Sequence, residues 1–189
     1  SNNDVNKLRE LGRKGFISND IRKQVWPILL NVDKKYLNLT KEEENIKIKE
    51  LLKENNDNQL CNHMYFEQVK KDTNRSMNHF DIHKINNKNG EFTAAKRKQE
   101  QQKLEKILHN IFYSNPNLHY TQGFHDICSV FYVVCGEYLG YLLTLNLAKL
   151  HMRDLMRKQL NVYQFILSMV FPLLSLIDEE MYIFLYKKY

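Results

Sequence analysis

An all-α fold, built as a multi-helix array, is predicted by three features of the sequence. The 189 residues include only three prolines and six glycines, whereas strand-rich domains need turn residues every few positions. No sustained alternation of apolar and polar residues occurs; apolar side chains recur instead at steps of three and four. With 43% hydrophobic and 12% aromatic residues, the chain has enough apolar surface to fold residues 1–189 around a core as a single domain.

Residues 4–12 carry Val5, Leu8 and Leu11 at helical spacing, with Gly12 placed to close the helix. A second helix starts at Ser18 or Asn19, whose side chains can accept from the unpaired first-turn amides, and Pro27 kinks it or sits near its end. Arg22 and Trp26 lie one turn apart on that helix, and an arginine stacked on a buried tryptophan is a common packing arrangement. Thr40-Lys41-Glu42-Glu43 has the form of a capping box ahead of an amphipathic surface helix at 46–52, and the Asn-rich run 53–59 reads as a loop. Over residues 62–80, Tyr65, Val69, Asp72, Ser76 and Phe80 recur every three or four, which brings a carboxylate to the apolar side. A buried carboxylate needs a partner, because desolvating it alone costs several kcal/mol. Arg75, three residues on, is the near candidate and Arg22 the distant one. Read from the residues alone, Asp72 and Arg75 make an i,i+3 ion pair worth about a few tenths of a kcal/mol. Residues 81–91 form a polar, mobile loop, and 96–113 a long helix that buries Leu104, Ile107, Leu108, Ile111 and Phe112 while its charged first half faces solvent.

The chain is organised around the next stretch, 117–137, where a polar turn runs directly into a helix that must be buried. Asn115-Pro116 ends the preceding helix, since the residue before proline disfavours the α region, and Gly123 supplies backbone freedom at the turn. Gln122 is thereby held at the tip of an ordered turn, where its carbonyl and amide can orient a water or grip a backbone. The helix at 126–138 is apolar nearly all round and is therefore expected at the centre. Segments 141–149, 152–159, 163–176 and 179–186 complete the array, with Asp154 as a helix-surface or interhelical polar group. Two apolar segments test for a membrane span. Residues 127–150 are interrupted by Gly136 and Glu137, and 162–177 fall short of the ~20 residues a span needs, so both read as core helices.

The net charge of +6 and pI near 9.1 permit nucleic acid or an anionic membrane as partner, but the lysines are scattered among glutamates and read as a solvated surface. Cys61, Cys128 and Cys135 form no C-x-x-C pair, and an odd count without a secretory signal points to a reducing compartment. The start at Ser1 without an initiator Met and the stop at Tyr189 in an unfinished helix read as those of a piece excised from a longer protein, and targeting elements outside it are not visible in this sequence.

Tyr120-Thr121-Gln122-Gly123, followed by Asp126, resembles the Y-x-Q-G signature of the TBC domain family, the GTPase-activating proteins of Rab GTPases. The run from Val69 to Arg75 is similar to that family's I-x-x-D-x-x-R motif with valine for isoleucine, and Arg22 to Trp26 to its R-x-x-x-W motif. All three stand in the family's order. The run NPNLHYTQGFHDI is similar to the member-20 branch, whose proteins are anchored in the endoplasmic reticulum and act on Rabs of early secretory traffic. The resemblance implies a helical TBC array, partial at its C-terminal lobe, on the cytosolic face of the ER or Golgi through an anchor beyond residue 189. It implies that Arg75 is an arginine finger and Gln122 a glutamine finger, both acting in trans. Asp72 then holds Arg75, Tyr120 supports the glutamine turn by packing and one hydrogen bond, and Gly123, Asp126, Arg22 and Trp26 are supporting residues. GTP and magnesium belong to the Rab, so no cofactor is expected on this chain. The family's Gly-Ile-Pro is replaced here by Gly15-Phe16-Ile17-Ser18.

Two readings of other classes stand beside this one: a Rab-binding scaffold without catalysis, and a basic helical nucleic-acid module, whose binding would weaken steeply with salt. His79 and His83 at i,i+4, and His119, His125 and Asp126 near the turn, raise a metal site, but H-E-x-x-H and a cysteine ligand pair are both missing. Tyr120 reads equally as a core aromatic or as a group touching substrate. His125 is close enough in sequence to modulate Gln122, and packing at the helix start is its preferred reading.

Overall fold

The computed structural model describes residues 2–37, 39–53, 62–78, 94–158 and 161–188. Among them the fold is all-α. Helices α1 (Asn2–Arg13) and α2 (Asn19–Leu29) lead through a 3-10 turn (Lys34–Tyr36) to α3 (Lys41–Lys53) and α4 (Phe66–Arg75). The long α5 (Ala94–Ser114) precedes α6 (Phe124–Cys135) and α7 (Glu137–Asn146), and a π-helical turn (Leu147–His151) follows. Last come α8 (Asn161–Ser168), α9 (Val170–Ile177) and α10 (Glu179–Lys188).

Side-chain caps set the starts of α2 and α3. Ser18 caps α2 by accepting from the Ile21 amide at 3.3 Å, which supplies the helix start where proline is missing. Thr40 and Glu43 form the reciprocal capping box, with bonds of 2.7 and 3.2 Å. Helix α1 runs past Gly12 to Arg13, and Pro27 sits buried near the end of α2.

The core is where α5 meets α4, α6 and α7. Leu104, Ile107, Leu108, Ile111 and Phe112 of α5 are all buried, against Val69 of α4 and Phe124 and Cys128 of α6. Helices α6 and α7 pack closely because Gly140 lies against the backbone of Tyr132, where an added Cβ would come within 3.0 Å of its Cα.

Several expectations are corrected. The apolar pattern of 62–80 is not one helix: α4 ends at Arg75, because Ser76 is extended and its hydroxyl donates back to the Thr73 carbonyl at 2.7 Å, and Met77 is left-handed with φ of 62°. The helix expected over 126–138 is broken at Gly136, whose φ of 85° and ψ of −177° separate α6 from α7. Residues 152–158 are turns rather than a helix, and Asp154 there pairs with Arg157 at 3.2 Å and Arg153 at 3.6 Å. The segment expected as core at 162–177 is not buried over 164–177: α8 and α9 meet at Met169, and Phe165, Ile166, Leu176 and Ile177 stay exposed. No helix among the described residues is long and apolar enough to cross a membrane. The loops expected at 53–59 and 81–91, with Cys61, His79, Phe80 and His83, lie largely or wholly outside the described residues.

Candidate functional site

Asp72 and Arg75 share the last turn of α4, and their environments are opposite. The Asp72 side chain is wholly buried, while that of Arg75 is 69% exposed and leaves the fold where the helix stops. They are joined by a 2.6 Å bond from Arg75 Nη2 to Asp72 Oδ1. Gln68, one turn earlier, donates to the same oxygen at 3.1 Å, and the Tyr120 hydroxyl donates to Oδ2 at 2.8 Å. Burial pushes this carboxyl up, but donation from Gln68, Tyr120 and Arg75 outweighs it and holds the group below its ordinary value of 3.8. Burial, and then the Asp72 carboxylate, push the Tyr120 phenol well up, so it stays a proton donor.

The second half of the site is the turn carrying Gln122. Its flanks are fixed by long-range bonds, from the His119 amide to the Met156 carbonyl at 2.8 Å and from Thr121 Oγ1 to the Leu155 carbonyl at 2.7 Å. The Tyr120 ring packs edge-on against Phe112 at 5.5 Å and beside Tyr65 at 6.3 Å. Gly123 has φ of 91°, and an added Cβ would meet nothing within 4 Å. The requirement for glycine is thus conformational rather than steric. Gln122, at the tip, is exposed, and α6 starts immediately afterwards. Asp72 therefore grips Arg75 with one oxygen and, with the other, the tyrosine two residues before Gln122.

His125, on the first turn of α6, is buried. Its Nδ1 is 2.9 Å from the Tyr120 hydroxyl and 3.8 Å from Asp72 Oδ2, and its Nε2 is 3.3 Å from Asp126 Oδ1. The ring is thus packed at the helix start and is also part of the polar network. Sequence spacing also missed Gln68, although its place one helical turn before Asp72 was a usable signal. Arg22 does not reach Asp72. It donates to Asn19 Oδ1 at 2.7 Å and the Phe16 carbonyl at 2.6 Å, while Trp26 sits edge-on against Phe131 of α6 at 5.5 Å. This pair fixes the start of α2 and its seat on α6. No three His, Cys, Asp or Glu side chains among the described residues could together hold a metal ion, and His119 is instead bonded to the Tyr65 hydroxyl.

Fold and site together describe an all-helical domain in which an exposed arginine is bonded to a buried carboxylate, and the same carboxylate holds a tyrosine two residues before an exposed glutamine. The family model of the Rab-GTPase-TBC domain matches residues 19–189, and the chain belongs to that family. It is similar to TBC1 domain family member 20 of Bos taurus, Mus musculus and Homo sapiens, each 30% identical over 184 residues. That match covers 96% of this chain and 40% of each relative's length.

Proposed function

We propose that this chain is a GTPase-activating domain for a Rab-family GTPase, with Arg75 and Gln122 as its two fingers. The observation that carries the proposal is the pairing of exposure with anchorage: Arg75 is 69% exposed yet tied at 2.6 Å to a buried carboxylate that also holds Tyr120, two residues from the exposed Gln122. A guanidinium offers several donors in a fixed fork and suits the charge that develops on a phosphoryl group during transfer. Such fingers contribute on the order of 10³ to 10⁵ in rate, or roughly 4 to 7 kcal/mol. Gln122 carries an acceptor and a donor on one amide, which is what holding an attacking water requires. Asp72 keeps Arg75 from collapsing onto the surface, and Tyr120 ties the glutamine turn to the same anchor. GTP and its magnesium are the partner's substrate and ion; this chain supplies the positioning and the positive charge. The resemblance to the member-20 branch points to a Rab of early secretory traffic at the ER or Golgi membrane.

Single-turnover GTP hydrolysis across a panel of Rab proteins tests this. One or more early secretory Rabs should be accelerated, and Arg75→Ala and Gln122→Ala should each reduce the acceleration by at least about tenfold. Binding of a Rab without acceleration would favour the scaffold instead, and fractionation of the full-length protein with cytosol would remove the membrane assignment.

A further inference from the structure

A helix that stops leaves its last carbonyls without partners inside it, and chains very commonly resolve this with a left-handed glycine just past the end. Helix α4 ends differently. Past Arg75 come Ser76, Met77 and Asn78, and it is Met77, buried and without a glycine's freedom, that takes φ of 62°. A residue with a side chain keeps such a backbone only where its surroundings determine it. Here three successive carbonyls are held by side chains. The Asn74 and Ser76 carbonyls, one on either side of the arginine, both accept from Gln101 Nε2 of α5, at 3.2 and 2.8 Å. The Arg75 carbonyl between them accepts from Asn78 Nδ2 at 2.8 Å, and Asn78 Oδ1 accepts in turn from Arg97 Nη1 of α5 at 3.2 Å.

Gln101 stands in the charged first half of α5, yet it is only 7% exposed. Its amide carries two N–H donors on one nitrogen, which match two carbonyls, and burial denies all three groups water as a replacement. We propose that Gln101 and Asn78 are positioning residues for Arg75. They lock the backbone of residues 74–76 to α5 and so set where the arginine leaves the fold, while Asp72 sets the direction of its guanidinium through the 2.6 Å bond. The proposal rests on the reading of Arg75 as a finger given above. A misplacement of about 1 Å at a reacting group can cost about a hundredfold in rate, so a loosened turn slows stimulated hydrolysis even with Asp72 and Arg75 both intact.

The test is a pair of substitutions, each made with and without Arg75. Gln101→Met keeps the reach of the side chain and removes both donors. In single-turnover hydrolysis at saturating Rab it should lower kcat about tenfold and leave KM within about twofold, since Gln101 is buried from any partner. Asn78→Ala removes an exposed bond and should act in the same direction by a smaller factor. A thermal melt shows whether each variant folds, and Asn78→Ala decides the matter if Gln101→Met does not. In an Arg75→Ala background each substitution should change kcat by less than about twofold, because what it positions is gone. A folded variant at the wild-type rate removes that residue from the role, and the same loss with and without Arg75 overturns the role for both. A wild-type chain that activates no Rab, or an Arg75→Ala chain as active as wild type, removes the finger reading, and the clamp is then tested by backbone 15N relaxation of the free chain. Order parameters at residues 74–77 should be about 0.85 in wild type and fall toward 0.6 in the variants. Values that the substitutions leave unchanged overturn the clamp.

Discussion

The Tyr120→Phe substitution removes one oxygen from the site and keeps the ring that packs on Phe112 and Tyr65. Asp72 Oδ2 then loses its 2.8 Å donor in a position with no exposed side-chain surface. A buried acceptor left unsatisfied costs roughly 1 to 3 kcal/mol, and a charged one lies toward the upper end. The remaining bonds from Gln68 and Arg75 go to the other oxygen, so they cannot compensate. His125 Nδ1, at 3.8 Å, could move in and recover part of the loss, which places the expected destabilisation at about 2 kcal/mol. For a domain of this length that is a drop in Tm of about 4 to 8 °C. Losing its tie to Asp72, the Gln122 turn should also slow stimulated GTP hydrolysis by about tenfold at saturating Rab. Urea titration and single-turnover kinetics on one preparation measure both quantities. A Phe variant as stable and as active as wild type would refute the claim that Asp72 couples the two segments.

Other perturbations follow from the same geometry. Gly140→Ala should destabilise the chain by about 1 to 3 kcal/mol despite the better helix propensity of alanine, because the new methyl meets the Tyr132 backbone; urea midpoints decide this, and a stabilised variant would contradict the close contact. Desolvation, and then the charge of His109, lower the His63 ring to about 4, so the unfolded state binds the extra proton first. Its contribution to stability is full above about pH 6.5 and is lost as pH falls toward 4. Asp72, whose folded value is depressed, adds a further loss only below 3.8. Urea midpoints between pH 7 and 4 should therefore fall, and less steeply in His63→Gln; an identical slope in that variant would refute the assignment. Burial raises the Cys128 thiol, so in a Cys61→Ser, Cys135→Ser background the native chain should react with a thiol reagent only as fast as it opens, and prompt reaction at neutral pH would contradict this.

Features encoded within one turn of the chain were legible before any coordinates. The Thr40–Glu43 box, the Ser18 cap, the stop at Asn115-Pro116 and the buried stripe of α5 are set by neighbours four residues apart or fewer, and each stands where its residues place it. Asp72 on an apolar side was visible for the same reason. Its link to Tyr120 was not, because 48 residues separate them and no periodicity relates α4 to the turn. The glycine at 136 was absorbed into a continuous apolar run, since hydrophobic pattern does not register a single residue at positive φ. The pattern at 62–80 likewise ran on beyond Arg75, where a side-chain bond from Ser76 ends the helix. Apolar content alone also placed 162–177 in the core, whereas most side chains over 164–177 are exposed, because composition reports what a segment could bury and not what lies against it.

The most direct measurement is capture of a transition-state mimic. A responsive Rab loaded with GDP and aluminium fluoride presents the charge of the transferring phosphoryl group without turnover, and a domain that inserts fingers binds that state far more tightly than the GDP state. The account predicts that wild-type chain forms a stable complex only when fluoride is present, and that Arg75→Ala and Gln122→Ala each abolish this dependence while leaving the fold intact. Complex formation that ignores fluoride, or survives both substitutions unchanged, would contradict it.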